Sequence, residues 1–250
     1  MKGSGKPHRN VSLARALSKM GFTSRKLARE LIESGRVTVN GRPLKNPEVR
    51  VDPDREAIRV DGQIVRPAGR VYLMMHKPKG VVTTRSDERG RMTVYALLSM
   101  TEWVFPVGRL DRDSSGLLLL TNDTQWGNSI AAPDSKISKV YQVRLDRAIS
   151  PEDLSRLASG VTLEDGVKTL PARARQLPTK ETEYRIELTL TEGMNRQVRR
   201  MCKALEYRVL ELIRVRIGGL ELGSLPPGGV RPLTPDEVRR LGPEESRRRH

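Results

Sequence analysis

The chain is poor in the residues that build covalent and metal frameworks. It has one cysteine, Cys202, and three histidines, His8, His76 and His250. A single thiol excludes a disulfide framework and suits a reducing compartment, so the cytoplasm is the expected setting. One cysteine and one interior histidine cannot assemble a zinc site of the Cys/His kind. A Ser-His-Asp triad could draw only on His76, which precedes Lys77-Pro78 in an expected turn. Aromatic residues are 4% of the chain. No amphipathic helix joins bulky aromatics to a basic face, which disfavours a membrane surface as partner. No apolar run of signal-peptide type opens the chain, and none is long enough to span a bilayer. Glycine-rich phosphate loops of the G-x-G-x-x-G or Walker kind are missing too.

What the chain has instead is positive charge. Lys and Arg number 46 against 30 Asp and Glu, a net +16. Such a balance speaks of partners rather than of fold, and a polyanion, nucleic acid first, is the leading one. The alternative is an alkaline composition acquired through arginine-rich coding, since Arg far outnumbers Lys. The charge is unevenly placed. Up to Arg70 there are 16 basic and 7 acidic residues, so 16 − 7 = +9 of the excess lies in under a third of the chain. With 36% hydrophobic residues and several periodic segments, 250 residues can bury a core as one large domain or as a small and a medium one.

Two regions are expected. Residues 1–8 read as a basic tail. Over 9–67, apolar positions at helical spacing run from Leu13 to Met20, and Gly21 stops them. Thr23 or Ser24 can cap a second helix with Leu27, Ala28, Leu31 and Ile32 on one face and Arg25, Lys26 and Arg29 on the other. The stretch from Arg36 through Val37 and Val39 alternates up to Asn40-Gly41, a hairpin signal because a type I′ turn needs positive φ twice. A short strand, Ala57 to Val60, leads into Asp61-Gly62. This is a small α/β module whose basic helix face suits contact with an RNA backbone; the alternative is a solvated charged face. Residues 68–71 read as a linker.

The second region, 72–241, reads as α+β with a mainly antiparallel or mixed sheet and flanking helices. "VYLMMHKPKGVVTT" predicts strand, turn, strand. "KVYQVRL" alternates, with Tyr141, Val143 and Leu145 on one face, and "YRIELTL" places Tyr184, Ile186, Leu188 and Leu190 on its apolar side. Asn195 can cap a helix that buries Val198, Met201, Cys202 and Leu205. "VLELIRVRI" predicts a central strand. Residues 242–250 read as a tail.

Between these strands lies "GRLDRDSSGLLLLTND", Gly108 to Asp123. Asp111, Asp113, Ser115 and Gly116 match the first, third, fifth and sixth positions of a calcium loop, but Asn122 stands where the bidentate Glu belongs. Leu117 to Leu120 favour a strand rather than a helix. An ordinary turn fits the Asp and Ser residues, whose side chains bond local backbone. The third reading is a functional carboxylate. The apolar strand holds Asp111 near the core, and Arg109 and Arg112 flank it, where positive neighbours favour a charged carboxylate.

The same stretch closely resembles the central motif of the RsuA/RluB/RluE/RluF-type pseudouridine synthases. So do "HKPKGVVTT", "KVYQV", "EGMNRQVRRM" and "LIRVRIGGL", in the family's order, while "SRKLARELIESGRVTVNG" resembles the RNA-binding module of ribosomal protein S-four. His76 departs from the Asn usual in the family and receives no catalytic role. The resemblance implies isomerisation of uridine to pseudouridine within RNA, with no cofactor and no metal. It implies Asp111 as the catalytic carboxylate, Tyr141 as the aromatic residue stacked on uracil, and Arg199 as the arginine ion-paired with the carboxylate. Arg25, Lys26, Arg29, Arg36, Arg109 and Arg196 are the expected RNA contacts. Ribosomal RNA, of the large subunit first, is the expected substrate; the small subunit, a transfer RNA, or a non-catalytic role in ribosome assembly are the alternatives. A monomer is the default.

Overall fold

The computed structural model describes residues 10–100, 102–178 and 183–242. The two expected tails fall outside them, Gly242 excepted. The chain forms two compact units. One is Met1–Val71 with Met100–Phe105 and Thr121–Thr124; the other is Tyr72–Ser99 with Pro106–Leu120 and Gln125–His250.

The first unit contains β1 (Val11–Ser12), α1 (Leu13–Lys19), α2 (Arg25–Glu33), β2 (Val37–Val39), β3 (Arg42–Pro43), β4 (Arg50–Val51), β5 (Ile58–Val60) and β6 (Gln63–Ile64). Ser24 caps α2, its side chain accepting from the Leu27 N–H at 3.2 Å. Asn40-Gly41 (φ 50° and 82°) and Asp61-Gly62 (φ 49° and 79°) both form the left-handed turns their sequences predict. They join β2 to β3 and β5 to β6 in a four-stranded antiparallel sheet ordered β3-β2-β5-β6. Leu13, Ala16 and Leu17 of α1, Ala28 and Ile32 of α2, and Val37 and Ile58 of the sheet form its core. Leu27 leaves the expected apolar face and stands exposed.

The second unit is built on a nine-stranded mixed sheet. Its strands are β7 (Tyr72–Lys77), β8 (Phe105–Val107), β9 (Ser115–Thr121), β10 (Lys139–Leu145), β11 (Arg173–Gln176), β12 (Tyr184–Leu190), β13 (Val209–Ile217), β14 (Leu220–Glu221) and β15 (Val230–Pro232). The main order is β11-β12-β10-β13-β9-β7-β15, with β14 beside β13 and β8 beside β9. The helices are α3 (Thr124–Ala131), α4 (Pro151–Ser159), α5 (Gln197–Ala204) and α6 (Pro235–Leu241). Leu117 to Leu120 are completely buried, as a strand inside a sheet requires, and each such leucine contributes roughly 1.5–3 kcal/mol. Two cores result. Val143, Ile186, Leu188 and Leu212 pack with Val198 and Met201 of α5 and Leu157 of α4; Met74, Leu117, Leu119 and Ile217 pack with Trp126 of α3 and Leu241 of α6.

The two halves of the sheet meet where β9 runs parallel to β13, with Ser115 opposite Ile213 and Gly116 opposite Arg214. Gly116 has φ 107°. A Cβ there would stand 2.6 Å from the Arg214 amide nitrogen and closer still to its carbonyl oxygen. Only glycine lets the strands approach this way. The expected second strand after Pro78 does not form. Val82 makes one isolated bridge with Thr93, while Gly80 and Thr83 on either side of it bond the loop that carries Asp111 instead. Tyr184 lies exposed at the start of β12, outside the core assigned to it by alternation.

Candidate active site

The loop between β8 and β9 holds Asp111, and its shape is set from outside. The Thr83 hydroxyl donates to the Leu110 carbonyl at 2.8 Å and accepts from the Leu110 N–H at 3.3 Å. The Gly80 N–H donates to the Arg112 carbonyl at 2.7 Å, and one guanidinium nitrogen of Arg199 donates to the Asp113 carbonyl at 2.9 Å. The Ser114 N–H closes the turn onto the Asp111 carbonyl at 3.1 Å. Every carbonyl from Leu110 to Asp113 thus accepts a hydrogen bond, which fixes the backbone on both sides of the carboxylate.

A cavity of about 330 Å³ opens beside this loop, in the size range of small-molecule sites. Asp111, Ser114, Tyr141, Arg109 and Arg196 line it together with the apolar side chains of Leu110, Leu190, Val198 and Leu212. Tyr141 is half-buried against the core of β10, β12 and β13, so one part of its ring is fixed and the remainder faces the cavity. The wall formed by residues 192–197 is braced internally. The Gln197 side chain accepts from the Met194 N–H at 3.1 Å and donates to Glu192, which also accepts from the Leu170 N–H at 2.9 Å.

Two expectations about this wall need correction. Asn195 does not cap α5. The N-cap is Arg196, in the left-handed conformation (φ 50°, ψ 31°), and its side chain makes no capping bond. This turn projects Arg196 over the carboxylates, with a guanidinium nitrogen 3.8 Å from Asp111 Oδ2 and 3.9 Å from Asp113 Oδ2. The expected Arg199–Asp111 ion pair does not form among the described residues. Arg199, one turn further on, reaches beneath the loop and donates to the carbonyls of Val209, at 3.1 Å, and Asp113. Burial lowers the Arg199 pKa, the charge of Arg196 lowers it further, and Asp113 and Asp111 oppose both.

Two further cations lie under the site. Lys77, at the end of β7, is fully buried and donates to the Pro78 and Val81 carbonyls at 2.9 and 2.7 Å. Burial pushes its ammonium down to about 8, against the pull of Asp111 and Asp113 and with the repulsion of Arg214. Arg214 is 3% exposed and donates to the Leu117 carbonyl at 2.8 Å. It stands opposite Tyr141 on the neighbouring strand. A lysine two positions past the apolar run "VYLMM" and an arginine inside "VLELIRVRI" are the available signals for these buried charges, and periodicity alone gives them no role. Among the described residues no group of His, Cys, Asp and Glu could hold a metal ion.

The expected RNA contacts divide by unit. Arg109 is exposed at the cavity, and Arg196 borders it. In the first unit Arg25 and Lys26 are exposed on α2. Arg29 is paired with Glu48 at 2.6 Å, and Arg36 holds Asp61 with two nitrogens, at 2.9 and 2.5 Å.

A carboxylate on a clamped loop, sharing a cavity with a half-buried tyrosine and edged by arginine, suits an enzyme that acts on a polyanionic substrate. Residues 71–204 match the RNA pseudouridylate synthase family and residues 11–56 the S4 domain. The chain therefore belongs to the RNA pseudouridine synthases, in the branch that carries an N-terminal S4 domain, and it is a pseudouridine synthase. Among its relatives is the ribosomal large subunit pseudouridine synthase B of Bacillus subtilis strain 168, 40% identical over 90% of this chain and 93% of its own length. Another, an uncharacterized RNA pseudouridine synthase of the same organism, is 39% identical over 91% of this chain and 97% of its own. A crystal structure of a pseudouridylate synthase superposes with a TM-score of 0.68 at 30% identity, covering 92% of this chain and 99% of that one.

Proposed function

We propose that this enzyme isomerises a uridine of ribosomal RNA, in the large subunit, and that Asp111 is the carboxylate that carries the reaction. The supporting observation is the placement of Asp111, its side chain 30% exposed in the wall of the cavity, 3.8 Å from Arg196 and beside Tyr141. The large-subunit target rests on the 40% identical relative whose name specifies that subunit.

The reaction breaks the bond between uracil N1 and ribose C1′, turns the freed base, and joins C5 to C1′. The proton on C5 leaves, and N1 gains one, so nothing is added or lost. One carboxylate suffices because no water is activated, unlike glycoside hydrolysis with its two. Asp111 acts on the sugar either as nucleophile at C1′ or as the base of a glycal route. Tyr141 stacks on the base and Arg196 faces the carboxylate. Arg199 acts through the loop backbone it holds. A stacked uridine must first leave its helix, at a cost of a few kcal/mol, and phosphate contacts from Arg25, Lys26 and Arg109 offset that cost. The enzyme works as a monomer in the cytoplasm, a setting that suits its single buried thiol.

Asp111→Asn preserves size and removes charge. It abolishes tritium release from RNA labelled at uridine C5 while gel-shift binding of the same RNA is retained. Full release by this variant would falsify the assignment. Carbodiimide mapping of ribosomal RNA from cells with and without the enzyme locates the modified uridine, and a site outside the large subunit overturns the target.

A further inference from the structure

Ser114 is 1% exposed, and its hydroxyl has no hydrogen-bond partner among the described residues. It is also part of the cavity wall. Several other polar side chains of the wall have partners, and none of the rest is a buried unpartnered group. Gln197 and Glu192 brace each other, and Asp111 faces Arg196. A buried hydroxyl without a partner is costly. At the wall of a substrate cavity, a polar group of the substrate is able to satisfy it.

We propose that the Ser114 hydroxyl contacts the uracil ring and serves the base before and after it turns. This rests on the reading of the Asp111 cavity as the active site. The chemistry follows from the symmetry of uracil. Turning the ring about the axis through N3 and C6 exchanges N1 with C5, as the isomerisation demands. The same turn exchanges C2 with C4, so one carbonyl oxygen takes the place of the other. A hydroxyl that donates to a carbonyl beside Asp111 therefore finds an equivalent acceptor in both orientations. An amide would present a fixed donor and acceptor, whereas a hydroxyl rotates to suit. The contact holds the detached base in the cavity without favouring one orientation. Ser114 is rigidly placed for this, since its own N–H is bonded to the Asp111 carbonyl at 3.1 Å, and Gly116 locks the chain two residues later.

The test compares wild-type enzyme, Ser114→Ala and Asp111→Asn on total RNA from a strain lacking the enzyme, grown on uridine tritiated at C5. Ser114→Ala slows single-turnover tritium release about tenfold to a hundredfold, the effect of removing one hydrogen bond to the reacting base. RNA affinity changes by less than about twofold, because phosphate contacts dominate it. The melting temperature stays the same or rises, because the hydroxyl removed had no partner in the fold. A wild-type rate in Ser114→Ala, or a slower rate accompanied by a lower melting temperature, overturns the proposal. Activity in Asp111→Asn overturns the underlying site instead. Inactive Asp111→Asn with fully active Ser114→Ala removes only the role of Ser114.

Discussion

The basic residues of the first unit and those beneath the cavity of the second do different work. In the first unit they stand at the surface. Arg25 and Lys26 are exposed, while Arg29 and Arg36 are matched to Glu48 and Asp61. Beneath the cavity of the second unit Lys77 and Arg214 are buried, Arg199 is half-buried, and their bonds go to backbone carbonyls rather than to carboxylates. An exposed cation is free to meet a phosphate and is replaceable by another of like charge. A buried cation bonded to carbonyls fixes a loop, and its geometry matters as much as its charge. Net charge read from sequence cannot separate these uses.

The contrast is most sharply broken by Asp111→Asn, which is expected to lower turnover on the order of 10³-fold or more while binding persists. Tritium release against gel-shift affinity measures the split, and parallel decreases would show the two functions to be inseparable. Next in size is Gly116→Ala. Its Cβ would intrude on the Arg214 backbone at 2.6 Å with φ at 107°, so urea unfolding should show a destabilisation of about 2–5 kcal/mol. An unchanged midpoint would mean that the β9–β13 seam yields without cost.

Lys77→Met tests the buried cations by pH. Folding lowers the Lys77 pKa from 10.5 to about 8. Between those values the unfolded chain binds the proton and the native enzyme does not, so stability rises with pH across that window. The rise amounts to up to about 3 kcal/mol. Lys77→Met should flatten it, as read from urea midpoints at about pH 7.5 and about pH 10.5. Equal slopes in both proteins would place the titration elsewhere.

The smallest effects belong to the first unit. The double change Arg25→Ala with Lys26→Ala should reduce the slope of log affinity against log salt by roughly 1–2, about one for each phosphate left without its cation. Arg36→Ala should leave that slope nearly unchanged, since its guanidinium is already held by Asp61. A larger change for Arg36 than for the pair would show that RNA draws Arg36 away from its partner.

Much of this architecture is legible in the residues, and the limits of reading are instructive. Asn40-Gly41 and Asp61-Gly62 specify their turns locally, and four consecutive leucines announce a strand buried on both faces. Three helices in the second unit are also locally marked. Ser150-Pro151 opens α4, Thr234-Pro235 with Glu237 forms a capping box at α6, and Thr124 begins α3, although the strand periodicity of the neighbouring segments is the stronger local signal. Gly116 was legible as a turn residue, but its actual constraint is an approach by Arg214, far along the chain. The same holds at the site. Asp111 and Tyr141 sit in motifs, whereas the choice between Arg196 and Arg199 depends on a left-handed residue before α5 that no helical periodicity discloses. Thr83 and Ser114 carry no charge or unusual spacing; only their bonding, or lack of it, marks them.

The clasp on the Asp111 loop has a consequence for synthesis. Leu110 is tied to Thr83, 27 positions earlier; Asp113 is tied to Arg199, 86 later; and Leu117 is tied to Arg214, 97 later. No fragment translated only as far as the carboxylate can hold it in place. With Asp111 as the proposed catalytic carboxylate, a chain on the ribosome is expected to be inactive until the stretch through Arg214 has emerged and closed the sheet.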